Sequence, residues 1–279
     1  FFNHNPPPPL LSGLVGSEMC IRDRPTRGLI SCRGVVPACK SIDCLSIFTN
    51  NVSDAAMVAN ICAIFDASDT YARRNQYNND FRNVGAYTGK LRLGFINPDW
   101  VSSQGSASYA AAYRESLSQL EKSGIELFEF DFDVLFRIGQ ELYNGPWVAE
   151  RSLTFGDFLD RGHKDIIPVT KQIIKAGQSK TAEEFFAAQY RVKSLKRSVM
   201  AKMNEIDALI TPTVPRNFTL EEVQQNPIQT NNTLGIFTNH MNIMDFCGIA
   251  IPAKRTREGT PFGISLIACL LYTSDAADE

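Results

Sequence analysis

Apolar positions along the chain switch between two spacings. In "SDAAMVANICAIFDAS" they recur at helical spacing behind Ser53, a suitable N-cap, and predict a helix. "KLRLGFINP" is a short apolar run closed by Pro98, the pattern of a buried strand. "GSASYAAAYRESLSQLEKSG" returns to helical spacing and stops at Gly124. In "IELFEFDFDV", Phe128, Phe130 and Phe132 alternate with Glu129, Asp131 and Asp133, which predicts a strand with rings on one face and acids on the other. Thr181 and Glu184 carry a capping-box signature ahead of a long helix to about Ile206. Phe185, Val192, Leu195, Val199, Met203 and Ile206 form its core-facing stripe. "DALITPT", "GIAIPA" and "PFGISLIA" read as further extended pieces. The repeated strand-then-helix order predicts an α/β fold, a mixed sheet flanked by helices. No internal repeat interrupts it, and the polar stretch Arg73–Lys90 reads as a surface loop or short linker.

Composition narrows the class. A chain of 279 residues can bury a large core, and a net charge of -2 without a basic stripe argues against nucleic-acid binding. Apolar runs such as "GISLIACLLY" are too short to span a bilayer, and the N-terminus has no secretory signal. Seven cysteines without a C-x-x-C pair read as free thiols in a reducing cytoplasm. The ends differ in character from the middle. "VGSEMCIRDR" and "CLLYTSDAADE" have the look of translated adapter scars. The expected division is therefore a non-native leader over 1–24, the informative domain over 25–268, and a non-native tail over 269–279. Both end segments are expected to pack on nothing specific.

Candidate chemistry is sparse. The chain has no G-x-S-x-G elbow, no H-E-x-x-H and no P-loop. Glu129, Asp131 and Asp133 share a face, but without His or Cys they read as a solvated strand face rather than a metal site. His4 lies in the leader, His163 in a polar loop, and His240 is either a pocket residue or a locally hydrogen-bonded one. In "YNGPWVAER", Asn144-Gly145 breaks the chain and Pro146 suits the first turn of a new helix. Arg151 then falls about one and a half turns in, with Trp147 at i−4 to brace its stem. On the residues alone, Arg151 is a surface arginine paired with an acid such as Glu150, and Tyr143 a core tyrosine.

"PTRGLISCRGVVPACKSIDCLSIF" resembles the segment that follows the nucleophile in the amidase signature family, through Pro25, Thr26, Gly28, Gly34, Val35, Pro37, Ser41 and Asp43. The Gly and Lys of that family's G-x-K-P-T-x-G turn are replaced within "CIRDR". "LYNGPWVAER" and "NNTLGIFTNHMNIMDFCGIAIPA" are similar to allophanate hydrolases. Asp245 and Cys247 stand where general amidases have Gly and Pro. The resemblance implies a truncated amidase-signature sheet and an amidohydrolase that splits allophanate to ammonia and carbon dioxide in urea degradation, with no cofactor and no metal. It implies substrate binding by Tyr143 and Arg151, an arginine fork being suited to a carboxylate. It places the catalytic Lys–Ser–Ser relay before Pro25, so no catalytic residue is assigned, and Ser31, Lys40 and Ser41 are read as turn and surface residues. A homodimer and a biotin-dependent urea carboxylase, fused or separate, are compatible partners; nucleic acid and membrane are not expected. Two alternatives stand beside this reading: another amidase of the same family, of the transamidosome type, and a non-catalytic binding module.

Overall fold

The computed structural model describes residues 21–74, 89–162 and 166–269. Seven strands form one mixed sheet: β1 (Ile21–Arg24), β2 (Ile47–Thr49), β3 (Arg92–Phe95), β4 (Glu126–Glu129), β5 (Ala208–Pro212), β6 (Phe246–Pro252) and β7 (Gly263–Cys269). Their order is β2-β1-β6-β7-β5-β3-β4. β3 pairs in parallel with both β4 and β5, and the remaining pairs are antiparallel. The expected α/β architecture is the observed one.

The helices form where the apolar spacing places them, and their ends follow local capping. α1 (Val52–Cys62) starts earlier than a Ser53 cap would have it, because Asn51 is the cap: its side chain accepts from the Asp54 N–H at 2.8 Å. α2 (Pro98–Gln104) and α3 (Ala107–Lys122) follow β3, and Gly124 beyond α3 has φ 85°. α4 (Asp133–Tyr143), α5 (Val148–Asp160) and α6 (Pro168–Gln178) cover the middle of the chain. α7 (Ala182–Met203) opens with the anticipated reciprocal Thr181–Glu184 capping box. α8 (Leu220–Gln225), α9 (Pro227–Leu234) and α10 (Asn239–Met244) lead into β6.

The core lies between the sheet and these helices. Leu93, Leu209, Ile210 and Ile267 from the sheet meet Tyr113, Leu135, Ile138, Val199 and Met203 from the helices. Tyr113 is fully buried yet satisfied: its hydroxyl accepts from the Ile96 N–H at 3.1 Å and donates to the Ile210 carbonyl at 2.7 Å. A buried hydroxyl left without partners would cost about 1–3 kcal/mol.

Three expectations need correction. The alternation in "IELFEFDFDV" extends past the strand: β4 ends at Glu129, and Phe128 is exposed while Phe130 and Phe132 are buried in the turn before α4. β4 is an edge strand, so the face of Phe128 is not covered. Phe185 lies on the predicted α7 stripe but is also exposed. Finally, the last four residues of the expected leader do not lie apart from the fold. Ile21–Arg24 is β1, inserted between β2 and β6, and Cys269 completes β7 opposite Phe246. The pairing uses backbone groups on both edges of the tetrapeptide, and Ile21 and Arg24 are buried by it.

Candidate functional site

Tyr143 is the last residue of α4, and Arg151 lies in the first turn of α5. The break between them is tight. A Cβ on Gly145 would overlap the carbonyl oxygen and carboxylate of Glu141, so glycine is required by close approach. α5 begins at Val148 with Trp147 as its cap, later than Pro146 predicts. The Pro146 carbonyl instead closes a preliminary turn by accepting from the Ala149 N–H at 2.9 Å. Arg151 therefore projects back over the break. Its guanidinium sits 4.9 Å above the Tyr143 ring, the aromatic contact that sequence spacing assigns to Trp147. Trp147 is buried and packs against Phe185, with ring centroids 5.9 Å apart.

Electrostatics distinguish this arginine from a surface one. Burial pulls its pKa down, but Tyr143 and Cys39 beside it more than offset that, and the net shift is upward. Its Nε is buried and has no hydrogen-bond partner among the described residues. The acid expected to neutralise it is engaged elsewhere. Glu150 accepts from the Ser41 N–H at 2.6 Å through Oε1 and from the Ser41 hydroxyl at 2.6 Å through Oε2. Among the described residues no carboxylate pairs with this partly buried guanidinium.

The loop that holds Glu150 is itself fixed. Asp43 accepts from the Ala38 and Cys39 N–H groups at 2.9 and 3.0 Å. Asn242 Nδ2 donates to the Ile42 carbonyl at 2.9 Å, and Arg27 donates to the Ser41 carbonyl at 3.0 Å. The buried Cys39 thiol donates to the Trp147 carbonyl at 3.5 Å, and burial pushes its pKa up. Ser41 is thus more than a turn residue, and the Ser31 hydroxyl lies within donating distance of Asp66 and Asp69, 35 and 38 residues away. Sequence reading missed the Ser41–Glu150 pair because its partners are 109 residues apart. The one available signal was that both lie inside strings already singled out.

Tyr143 also lines a cavity of about 170 Å³, together with Arg24, Thr213, Asn239, Asn242 and Ser265, and Arg151 stands outside that wall. Asn242 Oδ1 accepts from Arg24, which also donates to the Phe246 carbonyl at 3.3 Å. Asp245 follows α10 with φ 62°, the left-handed conformation that glycine adopts freely and aspartate tolerates. That conformation fits a position where general amidases carry Gly. Here the carboxylate pairs with Arg73 at 2.5 Å and Arg27 at 3.7 Å. His240 is fully buried between Phe132 and Phe246, and neither ring nitrogen has a hydrogen-bond partner among the described residues, so it is neither a pocket wall nor locally satisfied there. His4 and His163 lie outside the described residues, as does most of Arg73–Lys90. No group of His, Cys, Asp and Glu among the described residues could hold a metal. Asp131 instead pairs with Lys202, and Asp133 accepts from the Trp100 indole.

Comparison with known proteins follows the same lines. A family model described as Amidase matches residues 11–271. The chain belongs to the amidase family. A urea amidolyase of Lachancea kluyveri is 33% identical over 263 residues, which is 93% of this chain and 14% of that protein. A solved allophanate hydrolase of Kluyveromyces lactis superposes with a TM-score of 0.80 at 31% identity, covering 91% of this chain and 41% of the other. The A-type subunit of the glutamyl-tRNA(Gln) amidotransferase of Geotalea daltonii is more distant, at 23% identity over 89% of this chain and 56% of its own length. The chain thus spans only a small part of the urea amidolyases that this amidase matches. Among its described residues, no helix is long and apolar enough to cross a membrane.

Proposed function

We propose that this amidase chain supplies the substrate-recognition part of an allophanate-hydrolysing enzyme. In this reading Arg151 holds the substrate carboxylate and Tyr143 both orients the guanidinium and faces the cavity. The supporting observation is the Arg151 guanidinium, charged and stacked on Tyr143, with its neighbouring acid committed to Ser41. Allophanate carries a carboxylate beside a urea-like amide, and a planar fork matches that group as a point charge does not. The kinship with urea amidolyase and allophanate hydrolase favours this substrate over that of the tRNA-dependent amidotransferases. Nucleophilic attack belongs to the Lys–Ser–Ser relay that family resemblance places before Pro25, and no residue of this chain takes that role. A biotin-dependent urea carboxylase, fused or separate, would deliver the substrate, and a homodimer and a reducing cytoplasmic setting complete the proposal.

Malonamate, the carbon isostere of allophanate, and neutral malonamide test the reading by calorimetric titration of the chain. Arg151→Ala is expected to weaken malonamate binding roughly ten- to a hundred-fold, the worth of a charge-assisted hydrogen bond. Arg151→Lys recovers part of the loss, and Tyr143→Phe costs less than Arg151→Ala. Equal losses for both ligands would make Arg151 structural and remove the main support for allophanate.

A further inference from the structure

The two strings that carry the recognition site, "CKSID" and "WVAER", meet at one contact. Glu150 grips Ser41 with both carboxylate oxygens, each bond 2.6 Å long. Glu150 immediately precedes Arg151 in the first turn of α5, and Ser41 is two residues from Cys39, which lies beside the Arg151 guanidinium. The thiol of Cys39 is tied in turn to the Trp147 carbonyl at the start of the same helix. Arg151 is therefore confined between two walls. Tyr143 on α4 forms one, and the 38–43 loop, latched to α5 through Glu150, forms the other. The groups that flank the guanidinium are the phenol and the thiol of these walls.

We infer that Ser41 and Glu150 are positioning residues for Arg151. Their paired hydrogen bonds hold the loop against α5, keep the Glu150 carboxylate engaged, and present the guanidinium preorganised for a carboxylate ligand. This inference rests on the carboxylate role proposed above. Preorganisation raises affinity by removing the ordering cost from the binding step, so its loss weakens the ligand that uses the cation and spares one that does not. Glu150 and Arg151 are adjacent on a helix, and adjacent side chains do not face one another. The effect therefore runs through the loop, not through a direct pairing of the two.

The test uses the 279-residue chain, malonamate and malonamide as probes, and the Arg151 Nε–H resonance assigned with Arg151→Lys. Glu150→Ala breaks both bonds and is expected to weaken malonamate binding about tenfold, with malonamide unaffected. Ser41→Ala keeps the backbone bond and costs about threefold, and Ser41→Thr, which keeps the hydroxyl, restores near-native affinity. In Glu150→Ala the Arg151 Nε–H signal shifts and broadens, and it does neither in Ser41→Thr. The inference is overturned if Glu150→Ala leaves that signal unchanged, or if it weakens both probes alike. Should the unaltered chain bind malonamate no better than malonamide, the carboxylate role of Arg151 fails, while the Nε–H signal still decides whether Glu150 positions it.

Discussion

Asp23 sits in β1 with no ion pair among the described residues, and burial raises its pKa to about 6. An acid with a folded pKa above its unfolded value binds more protons when folded. Stability therefore falls as pH rises from about 4 to about 6 and stays lower above that. His240 has the opposite signature. Burial, and then the charge of Arg24, lower its pKa to about 3. The unfolded chain takes up that proton first, so the stability of the neutral buried imidazole is present above about 6.5 and is lost as pH falls toward 3. Single substitutions separate the two across pH 4–6. Asp23→Leu should raise the melting temperature at pH 7 more than at pH 4. After discounting for partial exposure, on the order of 1 kcal/mol, or about 2–4 °C, is expected. His240→Leu should flatten the acid limb instead. An unchanged pH profile in thermal melts of both variants would mean that neither group is desolvated as described. Arg22 and Arg24 also have pKa values lowered chiefly by burial, and each is lowered further by a neighbouring arginine.

At the scale of the element, the α4–α5 break decides the geometry of the site. Gly145→Ala would drive a methyl group into the Glu141 backbone and carboxylate. Overpacking of this kind costs about 1–3 kcal/mol and should lower the denaturant midpoint and malonamate affinity together. A variant as stable as the parent would show that the break has room to relax. The same break shows what sequence could convey. Asn144-Gly145-Pro146 marked the interruption, and the position of Tyr143 and Arg151 on either side was readable. The start of α5 was not, since Pro146 suits a first turn whether or not the helix continues from it. The Thr181–Glu184 box was legible because both halves are local. Asn51 was missed in favour of Ser53 because both residue types cap well and spacing cannot rank them. The Ser41–Glu150 latch could not be read at all, because it is made by the fold and not by either string.

Across the whole molecule, α1 is turned inside out relative to an ordinary surface helix. Ala55 and Ala59 are its buried residues, while Met57 is 61% and Ile61 64% exposed, with Ile64 beyond the helix at 69%. An apolar stripe of this extent on a lone chain favours association. Ile61→Lys is expected to reduce self-association in sedimentation velocity while changing stability by less than about 0.5 kcal/mol. A marked loss of stability would show that the face is packed. Separately, no release of ammonia from allophanate is expected from the chain alone, and serine-dependent turnover would contradict the assignment of catalysis to residues before Pro25. The position of β1 between β2 and β6 also has a consequence in time. Arg24 and its partner Asn242 are 218 residues apart. A ribosome adding about 5–20 residues per second needs roughly 10–40 s to cover that distance. Until that distance is covered β1 lacks its β6 neighbour, and the nascent polypeptide carries an open strand edge.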